Sequence, residues 1–357
     1  FRWSKMEIIF MGRKMCDDAI WYSHIIRNLI RREWGDRIVP ILNEKGIKFI
    51  KYDYENIKQI NGKKVLSLSD TNKYIANKII QGEPCMIGRF GGNELSMMVS
   101  VLRETKYPYI DRRKYYLDKM CLGAGFFPND IKQAEKFVDL MFDCCKDLDL
   151  CGVWKLFMED YIIKQYANQA QITKLHWLEP WNMRLEKQST QLPWTFALKG
   201  KKVLVIHPFA ESIKKQYNYN REHIFERIYP AEEILPSFEL ETIKAIQSIG
   251  GNNEYGFATW FDALESMKEQ CSKCDFDVAI IGCGAYGFPL AAEIKRMGKC
   301  AVHLGGATQL LWGITGRRWI QGNYHNFSND VVNNYWVRPM DCEKPINAEK
   351  VEGGCYW

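Results

Sequence analysis

The sequence predicts an α/β fold, Rossmann-like, with a mostly parallel sheet covered by helices on both faces. Three observations lead there. Short apolar runs of strand character alternate with helical stretches along residues 66–325. Two of those runs, 84–90 and 276–281, break at glycines that open directly into helices. A third, Lys201-Lys-Val-Leu-Val-Ile206, ends at His207-Pro208 with a polar helix behind it. Ligands of such sheets bind beyond the carboxyl ends of strands.

The elements follow in order. A helix over 17–33 and a short alternating strand over 47–54 fall in a basic, aromatic N-terminal extension, residues 1–65. A helix over 71–81 starts at Ser69 or Asp70 as N-cap. Strand 84–90 runs into Gly91-Gly92, and Asn93-Glu94 opens a helix through 102. Residues 105–128 read as irregular; Asn129 or Asp130 then caps a helix to 146. Strand 148–154 and a helix to 170 precede a Trp-rich connection, 178–194. After strand 201–206 come helix 211–217, an insertion over 218–236, strand 239–248 and helix 259–273. Strand 276–281, the glycine turn, a helix and strand 300–304 complete the Rossmann-like domain, 66–325, leaving 326–357 as a C-terminal tail.

Composition bounds the reading. Across 357 residues, 46% are hydrophobic and 26% charged, ordinary globular usage with no run of membrane-spanning length. Twelve scattered cysteines, several inside apolar runs, suit a reducing compartment and a cytoplasmic protein. Cys271-Ser-Lys-Cys274 has no second pair and no nearby His, so zinc is not expected. Residues 1–65 hold 14 Lys+Arg against 8 Asp+Glu, which accounts for the whole net charge of +6. That surplus is modest and mixed with acids. It predicts no specific nucleic acid, and at most peripheral contact with the inner membrane face.

Gly282-Cys-Gly284-Ala-Tyr-Gly287 has the spacing of a dinucleotide fingerprint. Gly282 permits a tight turn, and Gly284 lets a phosphate approach the backbone at a helix start. The ribose-reading acid of that fingerprint is missing, however. The following strand ends in His303-Leu-Gly305-Gly306 instead of Asp or Glu. A phosphate-cradling turn is therefore expected, with NAD or FAD disfavoured as its ligand, and a turn that only packs helix on strand is the plainer alternative.

Gly88-Arg89-Phe90-Gly91-Gly92-Asn93-Glu94 resembles the Arg-Phe-Gly-Asp-Gly-Glu signature of GT-D-type glycosyltransferases, which are bacterial surface-polysaccharide enzymes. The stretches around 201–209, 277–287 and 299–306, and Ala307-Thr-Gln-Leu-Leu-Trp-Gly-Ile, are similar to segments of that family too. The resemblance covers roughly residues 66–320. It implies a GT-D-like catalytic domain using a nucleotide-sugar donor, UDP-linked, in polysaccharide biosynthesis. The family's Asp-x-Glu pair is associated with Mn2+ or Mg2+. Here Gly92 stands at the Asp position and only Glu94 remains, so metal dependence is expected to be weak or absent.

Roles follow from the chemistry of glycosyl transfer, in which charge grows on the leaving phosphate and an acceptor hydroxyl loses a proton. Glu94 and His207 are the catalytic candidates, with Glu94 also the one metal candidate. Arg89, Gly91, Gly92, Asn93, Ser212, Gln216, Tyr217, Gly282, Gly284, Tyr286, Gly287, His303, Gly305, Gly306 and Gln309 are the candidates for holding the nucleotide sugar. The expected acceptor is a glycan, a lipid-linked glycan or a protein. Two alternatives stay open: a nucleotide-dependent oxidoreductase with an atypical ribose site, and a non-catalytic module that binds nucleotide sugar or a partner protein.

Overall fold

The computed structural model describes Trp21, Tyr54 and residues 56–106, 111–185, 191–230, 232–252, 254–321 and 325–357. The helix and strand expected over 17–33 and 47–54, and any membrane contact of the extension, lie outside the described residues.

A two-residue hairpin, β1 (Gln59–Ile60) with β2 (Lys63–Lys64), precedes a seven-stranded sheet. Its strands are β3 (Cys85–Gly88), β4 (Leu150–Val153), β5 (Gln171–Lys174), β6 (Lys202–His207), β7 (Glu239–Lys244), β8 (Val278–Ile281) and β9 (Cys300–His303). Their order is β5-β4-β3-β9-β8-β6-β7, and every pairing is parallel. The chain therefore winds outward from β3 to one edge, restarts at β6, and fills the centre last with β8 and β9.

Period-two alternation divides each strand between two cores. Met86, Cys151, Leu204, Ile206, Ala279, Ile281 and Ala301 pack on one face. Cys85, Ile87, Leu150, Val203, Val205, Val278, Ile280 and Val302 pack on the other. Burial on both faces explains why these strands read as unbroken apolar runs.

Helices α1 (Leu68–Gln81), α2 (Gly92–Lys106), α3 (Arg113–Gly123), α4 (Ile131–Cys145), α5 (Glu159–Tyr166), α6 (Ala210–Asn220), α7 (Trp260–Lys273) and α8 (Gly287–Arg296) cover the two faces. Helix α1 starts earlier than expected. Ser67 is its N-cap, accepting the Asp70 amide at 3.1 Å, and Gly82 ends it at φ 65°. Asp130 caps α4 through the Gln133 amide. Thr259 and Asp262 close a reciprocal capping box on α7.

Other elements differ from the sequence reading as well, and β7 ends at Lys244 rather than 248. The stretch read as irregular over 105–128 contains α3, and β5 falls beyond a helix that ends at Tyr166 rather than 170. From the extension, Trp21 is fully buried edge-on to Tyr161 at 4.9 Å. Tyr54 donates its hydroxyl to the Val153 carbonyl at 2.7 Å. From residues 326–357, Trp336 and Trp357 join the second core.

Candidate active site at the carboxyl edge of the sheet

A cavity of about 430 Å³ lies beyond the carboxyl ends of six adjacent strands. Trp154 follows β4, Arg89 follows β3, His303 ends β9, Gly282 follows β8, His207 ends β6, and Gln247 and Ser248 follow β7. Arg89, His207, Gly284 and His303, assigned to one ligand from the sequence, line this one hollow. So do Gly91, Gly92, Asn93, Glu94, Gly282, Tyr286, Gly305, Gly306 and Gln309.

Arg89 and Glu94 form the charged centre. The Arg89 guanidinium lies 5.4 Å from the Trp154 ring centroid and donates from Nη1 to the Phe90 carbonyl at 3.1 Å. Trp154 is itself fixed by its indole N–H on the same carbonyl at 3.0 Å. The Nε of Arg89 is buried without a hydrogen-bond partner among the described residues, a donor of the kind that a ligand oxygen would satisfy. The Glu94 carboxyl folds back over Gly91, filling the space a β-carbon would need. Burial pushes its pKa up, against the pull of Arg89 and of its own backbone amide.

The two histidines are buried and neutral at physiological pH. His207 accepts the Phe209 amide at Nδ1, 3.0 Å away, so its proton sits on Nε2. Burial pushes its pKa down to about 3. Nδ1 of His303 faces the Ile281 carbonyl at 3.3 Å, which places the proton there and leaves Nε2 as an acceptor. Burial first, and then the Arg89 charge, push its pKa to about 3 as well. One histidine is thus set to donate and the other to accept.

The glycine turn is less open than its spacing predicts. The Ala285 amide donates to the Ala124 carbonyl at 3.1 Å and the Tyr286 amide to Cys283 at 3.3 Å. Cys283 and Gly284 are left without a backbone acceptor among the described residues. Gly284 has φ 58°, and a β-carbon there would meet the Ala124 carbonyl oxygen at 2.9 Å. Its glycine is required by turn conformation and loop packing before any ligand arrives.

Four assigned residues do not line the cavity. The Ser212 hydroxyl donates to Glu343, whose carboxylate also accepts the Glu211 and Ser212 amides at the start of α6. The Gln216 amide donates to the carbonyls of Gly313 and Tyr335, at 3.2 and 2.9 Å. Tyr217 is buried on Phe238 with its hydroxyl on that residue's carbonyl at 2.9 Å. Gly287 lies under the His303 ring, where a β-carbon would collide with it. Two lining residues are also occupied. Tyr286 stacks on Trp260 and shares its hydroxyl with Ser248 at 2.9 Å, while Gln309 donates to Ile314 and Tyr356 carbonyls.

Residues outside every sequence motif complete the walls: Lys119, Trp154, Ser248, Arg318, Lys350, Glu352 and Tyr356. Trp154 is the one with a signal, a large aromatic at the carboxyl end of the strand read over 148–154. Among the described residues no three His, Cys, Asp or Glu side chains come together as a metal site. The charge of Arg89 acts on the Glu94 carboxyl, and a divalent cation held there would draw its other ligands from the diphosphate and water. No helix among the described residues is long and apolar enough to cross a membrane.

No protein-family model matches the chain, and no curated protein matches it. Two solved structures do. One is the domain of unknown function 1792, described as having a distinct glycosyltransferase fold. It is 12% identical with a TM-score of 0.36, over 68% of this chain and 78% of that one. The other is a selenomethionine-substituted structure of domain of unknown function 1792, also 12% identical with a TM-score of 0.36. The match spans 77% of this chain and 94% of that one. Overlap at this level settles no activity.

Proposed function

We propose that this chain moves a sugar from a nucleoside-diphosphate donor, UDP-linked, to a hydroxyl of a glycan, lipid-linked or protein acceptor. One observation carries the reading. The cavity joins an Arg89 donor with no internal partner to Glu94, a carboxyl whose burial makes it a stronger base than a surface glutamate. An anion-holding group beside a proton-accepting group is what glycosyl transfer demands.

In the reaction the bond between the sugar's anomeric carbon and the diphosphate oxygen breaks, and its electron pair leaves with the diphosphate. The acceptor oxygen bonds to the same carbon and its proton passes to Glu94. Arg89 stabilises the growing charge on the leaving oxygen, worth most in a cavity that excludes water. His207 donates from Nε2 to a phosphate or sugar oxygen, and His303 accepts from a sugar hydroxyl. Trp154 offers a ring face to base or sugar. No step is routed through Mn2+ or Mg2+.

Calorimetric titration with UDP, GDP, CMP and NAD tests the ligand, and turnover of UDP-sugars on an acceptor panel tests the reaction. UDP binding with transfer is expected. Binding of NAD alone would move the reading to an oxidoreductase, and nucleotide-sugar binding without transfer to any acceptor would move it to a binding module. Loss of activity on chelation, restored by manganese, would overturn the metal-free scheme.

A further inference from the structure

The C-terminal segment supplies a wall of the cavity, and against it stands a second arginine, in a cavity that Lys119 and Lys350 also line. Lys350, Val351, Glu352 and Tyr356 line the space together with Arg318. The wall is fastened from several sides. The amides of Arg317 and Arg318 donate to the Trp357 and Cys355 carbonyls at 3.3 and 2.9 Å. The Gln309 amide donates to the Tyr356 carbonyl at 3.2 Å, and the Arg317 guanidinium to Gly353 at 2.6 Å.

Two adjacent glycines bring the cations together. The Arg89 guanidinium presses on Gly305, and the Tyr356 ring presses on Gly306, where a β-carbon would fall 2.8 Å from Cε1. Arg318 stands over that same ring, 4.5 Å from its centroid, and donates to the Tyr356 hydroxyl at 2.9 Å. Arg89 therefore lies against the first glycine of the Gly305–Gly306 pair, and the Tyr356 ring, with Arg318 over it, lies against the second.

Glu352 already occupies part of Arg318, accepting from Nη2 at 2.5 Å. It does so from a left-handed backbone, φ 48°, which side-chain-bearing residues avoid, ahead of two glycines at φ 65° and 76°. The pair is also weak, because 68% of the Glu352 side chain is exposed and opening it costs little.

We infer that Arg318 is the second guanidinium of the anion site and that Glu352 holds its place until a phosphoryl group displaces it. The inference rests on the nucleoside-diphosphate reading and narrows it. The ligand carries two linked phosphoryl groups, one on Arg89 and one on Arg318, spanning the glycine pair. Planar guanidinium groups suit both, since each can grip two phosphate oxygens at once.

Titration of the full chain with inorganic pyrophosphate and with inorganic phosphate, at low salt, tests it. Wild type should prefer pyrophosphate. Arg318→Gln should weaken pyrophosphate about tenfold or more while barely moving phosphate. Glu352→Gln should tighten pyrophosphate about two- to fivefold, an effect that added salt erases. Arg318 also packs on Tyr356, so Arg318→Gln is compared with Arg318→Lys, which keeps a charge. Glu352→Gln leaves the Arg318–Tyr356 contacts in place and needs no such control. Unchanged or weaker pyrophosphate affinity in Glu352→Gln, or no preference for pyrophosphate in wild type, overturns the subsite. If UDP still binds in that case, the functional reading survives without it. Pyrophosphate binding that depends on Arg318, with no binding of any nucleoside diphosphate, keeps the subsite and removes glycosyl transfer.

Discussion

Arg89 and Gly305 are in such close contact that a β-carbon on the glycine would sit 2.6 Å from the guanidinium carbon. Gly305 also holds φ 63°, which alanine adopts at a cost of about 1–2 kcal/mol. Gly305→Ala should therefore combine a lower melting temperature with misplacement of Arg89. Titration with UDP should show at least a tenfold loss of affinity; wild-type affinity in a folded variant would detach Arg89 from ligand binding.

Glu94→Gln should cut turnover by about 10²- to 10⁴-fold while leaving nucleotide affinity nearly intact. The carboxyl must be ionised to take a proton, and burial raises its pKa. Activity should consequently climb with pH as Glu94 ionises. A rate profile flat through the acid limb, or equal losses in binding and turnover, would point to a structural carboxyl.

His207 and His303 should contribute no inflection near neutral pH, because burial leaves both uncharged down to about pH 3. His207→Gln keeps a side-chain amide donor and should retain most ligand affinity, whereas His207→Ala should lose about tenfold. A pH-rate curve whose midpoint near 6 to 7 vanishes in His207→Gln would make that residue a titrating base instead.

Glu159 starts α5 and holds the loop behind Trp154, accepting the Trp154 and Leu156 amides at 3.1 and 3.3 Å. It is 3% exposed, and burial pushes its pKa up to about 8. A carboxyl with a raised folded pKa binds more protons folded than unfolded. Its stabilising share is thus complete below the unfolded value and falls as pH rises towards about 8. Denaturant titrations should show wild type losing stability, on the order of a few kcal/mol at most, across that interval. Glu159→Gln should lose less.

Trp154→Ala removes both the ring beside Arg89 and the indole bond to Phe90. UDP affinity should fall about three- to thirtyfold, the scale of a partly desolvated cation–π contact. Trp154→Phe should recover part of it, and equal losses in both variants would assign the effect to the indole N–H.

How far the sequence reached depends on where the signal resided. Strands β3, β6, β8 and β9 were legible because burial on two faces forces uninterrupted apolar runs, and their ends named the cavity. Helix α3 was not. Only Leu117 and Met120 are buried along it, and Arg112 offers no side-chain cap, so neither periodicity nor a start signal marks it. Strand β5 is four residues long with polar Gln171, Thr173 and Lys174. Ser212, Gln216 and Tyr217 show a different failure. Proximity to His207 along α6 says nothing about which way a helix face turns, and these three turn to Glu343, Gly313 and Phe238. Arg318 and Tyr356 reach the cavity only through tertiary packing, for which no local pattern exists.

The winding order of the sheet has a consequence for how the protein comes into being. β9 enters last among the described strands yet lies between β3 and β8, so Cys85 must await Cys300 before its strand gains that neighbour. A nascent chain halted before residue 300 has two half-sheets with an open seam between them, and Arg89 faces no Gly305. Such distant pairings slow folding and leave strand edges exposed while they wait. Ligand competence should therefore appear abruptly during synthesis, once that central seam has closed.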